Sequence, residues 1–320
     1  VIYLFKHTNP LALILLAAFA GLPLFNPWSI APSSTPQGYG LVFDGLSGIF
    51  GWIHPDKGIA SQILAVLLIL VESLFLNKVV SDHKLMEKPG YLPALSFILL
   101  NGLIPNGMLP YAIIINALFI LIFKLMVISY KQNRSFNVLL LIGFLSGFIA
   151  SLNTSYLLIY LWSTIALLIM RPISLREWLL LTAGFVLPFY FLVSGLYLFD
   201  HLKMSMVFPT FKAGFSIPKM SILKWISIIF FLALPIISLT KAGDKLGKMV
   251  LQVRKSYLIT MVLWLNCIII IILHLNDAPY QVSLLLVPSA ILLAPFFGSF
   301  KRDFIPNLLI ILLIAAAWIR

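Results

Sequence analysis

The chain has 320 residues, 61% of them hydrophobic and 10% charged, with a mean hydropathy of +1.06 and a formal net charge of +12. A soluble globular chain carries about 25% charged residues, so the composition excludes a water-soluble globule. It also excludes a transmembrane barrel, which would show alternating segments of about ten residues.

What remains is an all-α, polytopic integral membrane protein. The positive charge does not read as a nucleic-acid footprint, because no basic run with interleaved aromatics is present. In a membrane protein, Lys and Arg instead collect in the cytoplasmic loops.

In chain order, Lys6 followed by "LALILLAAFAG" has the look of a signal peptide, with an A-x-A at Ala18 to Ala20. It is read as the first span. Apolar runs long enough to cross ~30 Å of hydrocarbon then predict about eleven spans. These lie near 9–26, 60–77, 91–107, 109–129, 137–152, 155–170, 177–198, 222–240, 256–274, 280–298 and 304–320. Connections such as "PNG" at Asn106 and "NTS" at Asn153 are short enough to force antiparallel hairpins.

With a cytoplasmic N-terminus, Lys6, Lys78, Lys84, Lys88, Lys124, Lys131, Arg134, Arg171 and Arg176 fall inside. So do Lys241, Lys245, Lys248, Arg254, Lys255, Lys301 and Arg302. Only Lys57, Lys203, Lys212, Lys219, Lys224 and Arg320 fall outside, which favours this orientation. The expectation is one transmembrane domain over 1–320, with external segments at 27–59 and 199–224.

The first external segment contains "GYGLVFDGLSGIFGWIHPDKG", from Gly38 to Gly58. Its apolar side chains suit an amphipathic stretch lying along the outer interface, where Trp52 is favoured. Asp44 would then be held at a lipid–water boundary, where partial desolvation makes a carboxylate a better general base. The alternative is a solvated or capping Asp44 on an ordinary interfacial helix. In the second segment, Lys203, Lys212, Lys219 and Lys224 defy the positive-inside trend and His201 sits near them, a set suited to phosphate. Snorkelling surface lysines are the alternative there.

Glu72, in "LAVLLILVESLFL", is an ionisable residue inside a span and hence a functional candidate. His274, Asn276, Asp277, Tyr280 and Gln281 close span nine as a polar turn that could line a site. Gly143 and Gly147 form a small-xxx-small face suited to helix packing. Pro188, Pro235, Pro288 and Pro295 are expected to kink helices. The basic loop from Lys241 to Lys255 suits anionic lipid heads. Cys267, the single cysteine, excludes an intrachain disulfide and reads as a small apolar side chain. No HExxH, Cys/His metal set or GxxxxGK loop occurs.

One span, then a surface-lying segment bearing Asp44, then short hairpins, resembles the GT-C superfamily of polytopic glycosyltransferases. "LLIGFLSGFIASLNTSYLLIYLWSTIALLIMRPISLREWLLLTAGFVLPFYF" (140–191) is similar to their middle helices, and "DAPYQVSLLLVPSAILLA" (277–294) to their late tyrosine–proline span. The resemblance covers about residues 1–300 and lies in helix pattern.

It implies a bacterial inner-membrane enzyme that takes a polyprenyl-phosphate-linked sugar, with Asp44 as catalytic base and His201, Lys203, Lys212 and Lys219 on the donor phosphate. The family's usual first-loop feature is an adjacent acidic pair; here Gly45 follows Asp44. A divalent metal is compatible with this scheme, with Asp44 its single acidic ligand. Two other functions stay open: a non-catalytic subunit held by other membrane proteins and lipids, and a transporter using Glu72.

Overall fold

The computed structural model describes residues 2–7, 9–22, 59–86, 90–104, 109–130, 136–172, 174–200, 229–240, 249–273, 281–300 and 304–319. Within them the regular structure is helical. The helices are α1 (Ile2–Phe5), α2 (Pro10–Gly21), α3 (Ile59–Asp82), α4 (Leu92–Asn101), α5 (Leu109–Ser129) and α6 (Phe136–Leu152). They continue as α7 (Leu158–Met170), α8 (Leu175–Leu198), α9 (Ile229–Thr240), α10 (Leu251–Leu273), α11 (Leu286–Ser299) and α12 (Phe304–Ile319). Single 3₁₀ turns, Thr154–Leu157 and Val282–Leu285, lead into α7 and α11.

Four of the described helical stretches are long and apolar enough to cross a bilayer: Ile59–Asp82, Ala112–Ser129, Leu175–Leu198 and Leu251–Leu273. The remaining apolar helices have 10–17 residues, short of the ~20 that a full crossing needs. Of the expectation of about eleven full spans, the coarser part is seen: an apolar helix lies within each predicted segment, and four of the helices among the described residues have full length. Local sequence accounts for some of the shortening. The hydroxyl and amide side chains of "NTS" start a 3₁₀ turn, in which Asn153 Oδ1 accepts from Ser155 N at 2.9 Å, before α7 begins.

Between lipid-immersed helices there is no water-driven hydrophobic gain, so close packing and hydrogen bonds carry association. The centre is a pair of helices. All ten residues of α4 are buried, as is every residue from Gln281 to Ala294. Ser96 Oγ lies 2.9 Å from the carbonyl oxygen of Ala290, pinning the pair in register.

Around it, α3 and α5 each turn a buried stripe inward at three- and four-residue spacing: Ala65, Ile69, Glu72, Leu76 and Val79 on one, Ala112, Asn116, Phe119 and Phe123 on the other. Outward, large apolar side chains such as Leu67, Val71, Leu168, Tyr190 and Ile311 remain exposed, the surface that lipid covers.

α8 is peripheral, with only 22% of its most apolar window buried. It is held to α6 by glycines: a Cβ on Gly143 would lie 2.2 Å from Leu181 O, and one on Gly147 2.2 Å from Phe185 O. Gly184 returns the contact, with Leu140 O 2.3 Å from its Cβ position. The small-xxx-small face thus packs backbone on backbone. α8 starts in a capping box between Ser174 and Glu177, and Glu177 also pairs with Arg171 at 3.1 Å.

One end of the bundle collects the charge. Every basic side chain among the described residues lies within about two turns of it: Lys6, Lys78, Lys84, Lys124, Arg171, Arg176, Arg254 and Lys255. Contacts tie the helix ends there together. Tyr91 N donates to Phe5 O at 2.8 Å and Tyr257 Oη to Leu85 O at 2.9 Å; Ile2 N donates to Asn307 Oδ1 at 3.0 Å.

Two lysines cap helices other than their own. Lys6 Nζ donates to Phe300 O at 3.2 Å, past the C-terminus of α11, and Lys255 Nζ to Met170 O at 2.7 Å, at the last residue of α7. A cation at a helix C-terminus meets orphan carbonyls and the negative end of the dipole. Lys255→Met is expected to lower unfolding stability by about 1–2 kcal/mol, read by denaturation in mixed micelles. Lys255→Arg should retain most of it.

The opposite rim follows. Leu22, Ile59, Asp200 and Ile229 each lie at the end of a helix whose other end is turned toward the basic rim. These residues bracket 23–58 and 201–228, so both long connections join the bundle away from the basic rim.

Candidate functional site

Of the candidate site residues singled out by sequence, Glu72 and Gln281 fall among the described residues. Asp44, His201, Lys203, Lys212, Lys219, Lys224, His274, Asp277 and Tyr280 lie outside them. The described site is therefore built around Glu72.

Contacts between side chains align several helices at one depth. α3 packs against α5, and the Glu72 carboxyl group lies near the backbone of Ala117. Further along this parallel pair, toward the basic rim, Lys124 Nζ stands 5.4 Å from the Phe75 ring centroid. Phe119 meets Trp162 edge-on with centroids 6.3 Å apart, placing the Asn116 turn of α5 beside the first turn of α7. Asn266 Nδ2 donates to Leu158 O at 3.0 Å, and Cys267 Sγ to Leu284 O at 3.5 Å. Glu72, Asn116, the start of α7, the Asn266 turn of α10 and the 3₁₀ lead into α11 thus share one layer. It stands about 15–22 Å above the basic rim at 1.5 Å per residue.

This layer is polar and incompletely satisfied. Glu72 is 7% exposed and its Oε1 has no hydrogen-bond partner among the described residues. Asn116 and Gln281 are each 0% exposed with both amide heavy atoms unpartnered among the described residues, as is Asn266 Oδ1. A buried polar group without a partner costs about 1–3 kcal/mol, and native interiors hold few of them. Several of them share one layer, which makes it the candidate site. Both α7 and α11 begin at this depth, so their positive dipole ends also point to it, an arrangement tolerated in a membrane where backbone is buried in protein.

On the far side of α4, Phe19, Leu22, Ile98, Leu99, Gly102 and Leu313 line a shallow apolar groove between α2, α4 and α12. Gly102 closes α4. Since Ser96 pairs with Ala290, that end of α4 lies close to the polar layer.

Sequence reasoning found Glu72 and named Gln281 in the polar turn, but missed Asn116 and Asn266. The signal was available: "AIIINALFILIF" holds one amide inside an otherwise apolar helix, and such a side chain must find a partner within the bundle. Compared with known proteins, the chain matches no family model, no curated protein and no solved structure.

Proposed function

We propose that this chain is a bacterial inner-membrane protein of GT-C-like build, with a cytoplasmic N-terminus, that transfers a sugar from a polyprenyl-phosphate donor at the rim opposite its basic side chains. Asp44 accepts the proton of the acceptor hydroxyl. The oxygen so activated attacks the anomeric carbon, the bond from that carbon to the phosphate oxygen breaks, and Lys203, Lys212, Lys219 and His201 hold the departing lipid phosphate. The observation that carries this reading is the convergence of the helix ends bracketing 23–58 and 201–228 at one rim, away from the basic residues. A layer of amides unpartnered among the described residues, beneath that rim, adds support.

Purified protein in bicelles, given a tritiated polyprenyl-phosphate hexose and a lipid acceptor extract, should transfer label. Asp44→Asn should lower the rate about 10²–10⁴-fold, the usual contribution of a positioned general base. Equal transfer by Asp44→Asn would remove Asp44 from the reaction. Unchanged donor binding by Lys212→Ala/Lys219→Ala would remove the phosphate grip. A second function, transport, is favoured by one specific observation, the buried Glu72 oxygen that lacks a partner.

A further inference from the structure

Glu72 and Asn116 come from the inward stripes of two parallel helices. These helices pack on each other, and the Glu72 carboxyl lies near the backbone of Ala117, one residue along the chain from Asn116. The two side chains nevertheless make no hydrogen bond to each other, and Glu72 Oε1, Asn116 Oδ1 and Asn116 Nδ2 are left over. Two orphan polar side chains at one depth on neighbouring helices are costly unless a third body joins them.

The charge narrows what that body is. α3 packs against α2, α4 and α5. α2 and α4 hold no titratable side chain. On α5 the charged group is Lys124, two turns below Ala117, with its ammonium over the Phe75 ring. On α3 itself, Lys78 and Asp82 lie toward the basic rim. No ion pair joins any of these to Glu72 among the described residues.

A carboxyl group with no counter-charge at membrane depth takes a cation from outside the protein or a proton. Carboxylate and amide oxygens suit hard cations, and one carboxylate neutralises one positive charge. A divalent ion would leave a net charge buried.

We propose that Glu72 and Asn116 form an intramembrane site for a monovalent cation, Na⁺ or a proton, with Glu72 supplying the charge and Asn116 Oδ1 a second oxygen. The site is independent of Asp44 and of sugar transfer, so loss of either function leaves the other testable.

The full chain in detergent micelles is heated in NaCl and in choline chloride at equal ionic strength, at neutral and mildly acidic pH, beside Glu72→Gln. A Na⁺ site raises the wild-type Tm saturably, by roughly 5 °C at a hundredfold excess over Kd, and Glu72→Gln loses that rise. A proton site gives no Na⁺ response, but the wild-type Tm changes with acidification where that of Glu72→Gln does not. Identical responses of the two proteins to both variables overturn the proposal. Should Glu72→Gln fail to fold, infrared difference spectra of the wild type decide. A buried carboxyl band that changes with Na⁺ or with pH, and shifts in Asn116→Leu, supports the site; no such band contradicts it.

Discussion

Gly147→Leu is expected to part α8 from α6 and to lower unfolding stability by about 3 kcal/mol, the upper end of the overpacking range. A Cβ there would lie 2.2 Å from Phe185 O and 2.9 Å from Phe185 C, both backbone atoms that no rotamer change can move. The same holds at Gly143 and Gly184, so one bulky side chain lifts the whole seam. The loss is not refunded by other contacts, because α8 packs mainly on α6 and otherwise faces lipid. Gly195 provides the control on the same helix: nothing lies within 4 Å of its Cβ position, and Gly195→Ala should be neutral or slightly stabilising. Unfolding by sodium dodecyl sulfate in bicelles measures both, and equal effects at Gly147 and Gly195 would refute the glycine seam.

Trp162→Ala is the second large effect, about 3–5 kcal/mol. The indole is fully buried where α5, α7 and α10 meet; it packs edge-on to Phe119 and donates Nε1–H to Ile259 O at 3.0 Å. Removal opens a cavity and takes away a hydrogen bond between two helices at once. Trp162→Phe keeps most of the ring volume and loses the donor, so a smaller cost of about 1–3 kcal/mol is expected. The difference between the two variants in the same denaturation assay separates packing from the hydrogen bond. A Trp162→Ala protein as stable as wild type would mean that these helices do not meet at this ring.

Hydropathy located the helices because a bilayer demands apolar length, and the spacing of Gly143 and Gly147 announced a packing face, whose partner α8 only the structure shows. Depth and centrality were hidden. α4 and the stretch from Gln281 to Ala294 sit at the core while α8 lies at the edge, yet all read as apolar segments. A residue facing lipid and one facing another helix answer to the same hydrophobicity.

Glu72 was visible because an acid inside a span stands out. Its neighbour Asn116 was not, since a lone amide carries no charge and its importance appears only when α3 and α5 are set in register. Glu72 lies ten residues before Asp82, about 15 Å from the end of α3.

Cysteine labelling tests the arrangement on which the functional account stands. In a Cys267→Ser background, Ser47→Cys, Thr210→Cys and Ser135→Cys are each exposed to a membrane-impermeant maleimide, in intact spheroplasts and after permeabilisation. The account predicts that positions 47 and 210 react in intact spheroplasts and that 135 reacts only once the membrane is opened. Labelling of 47 and 210 from opposite sides, or of 135 together with either, would contradict it.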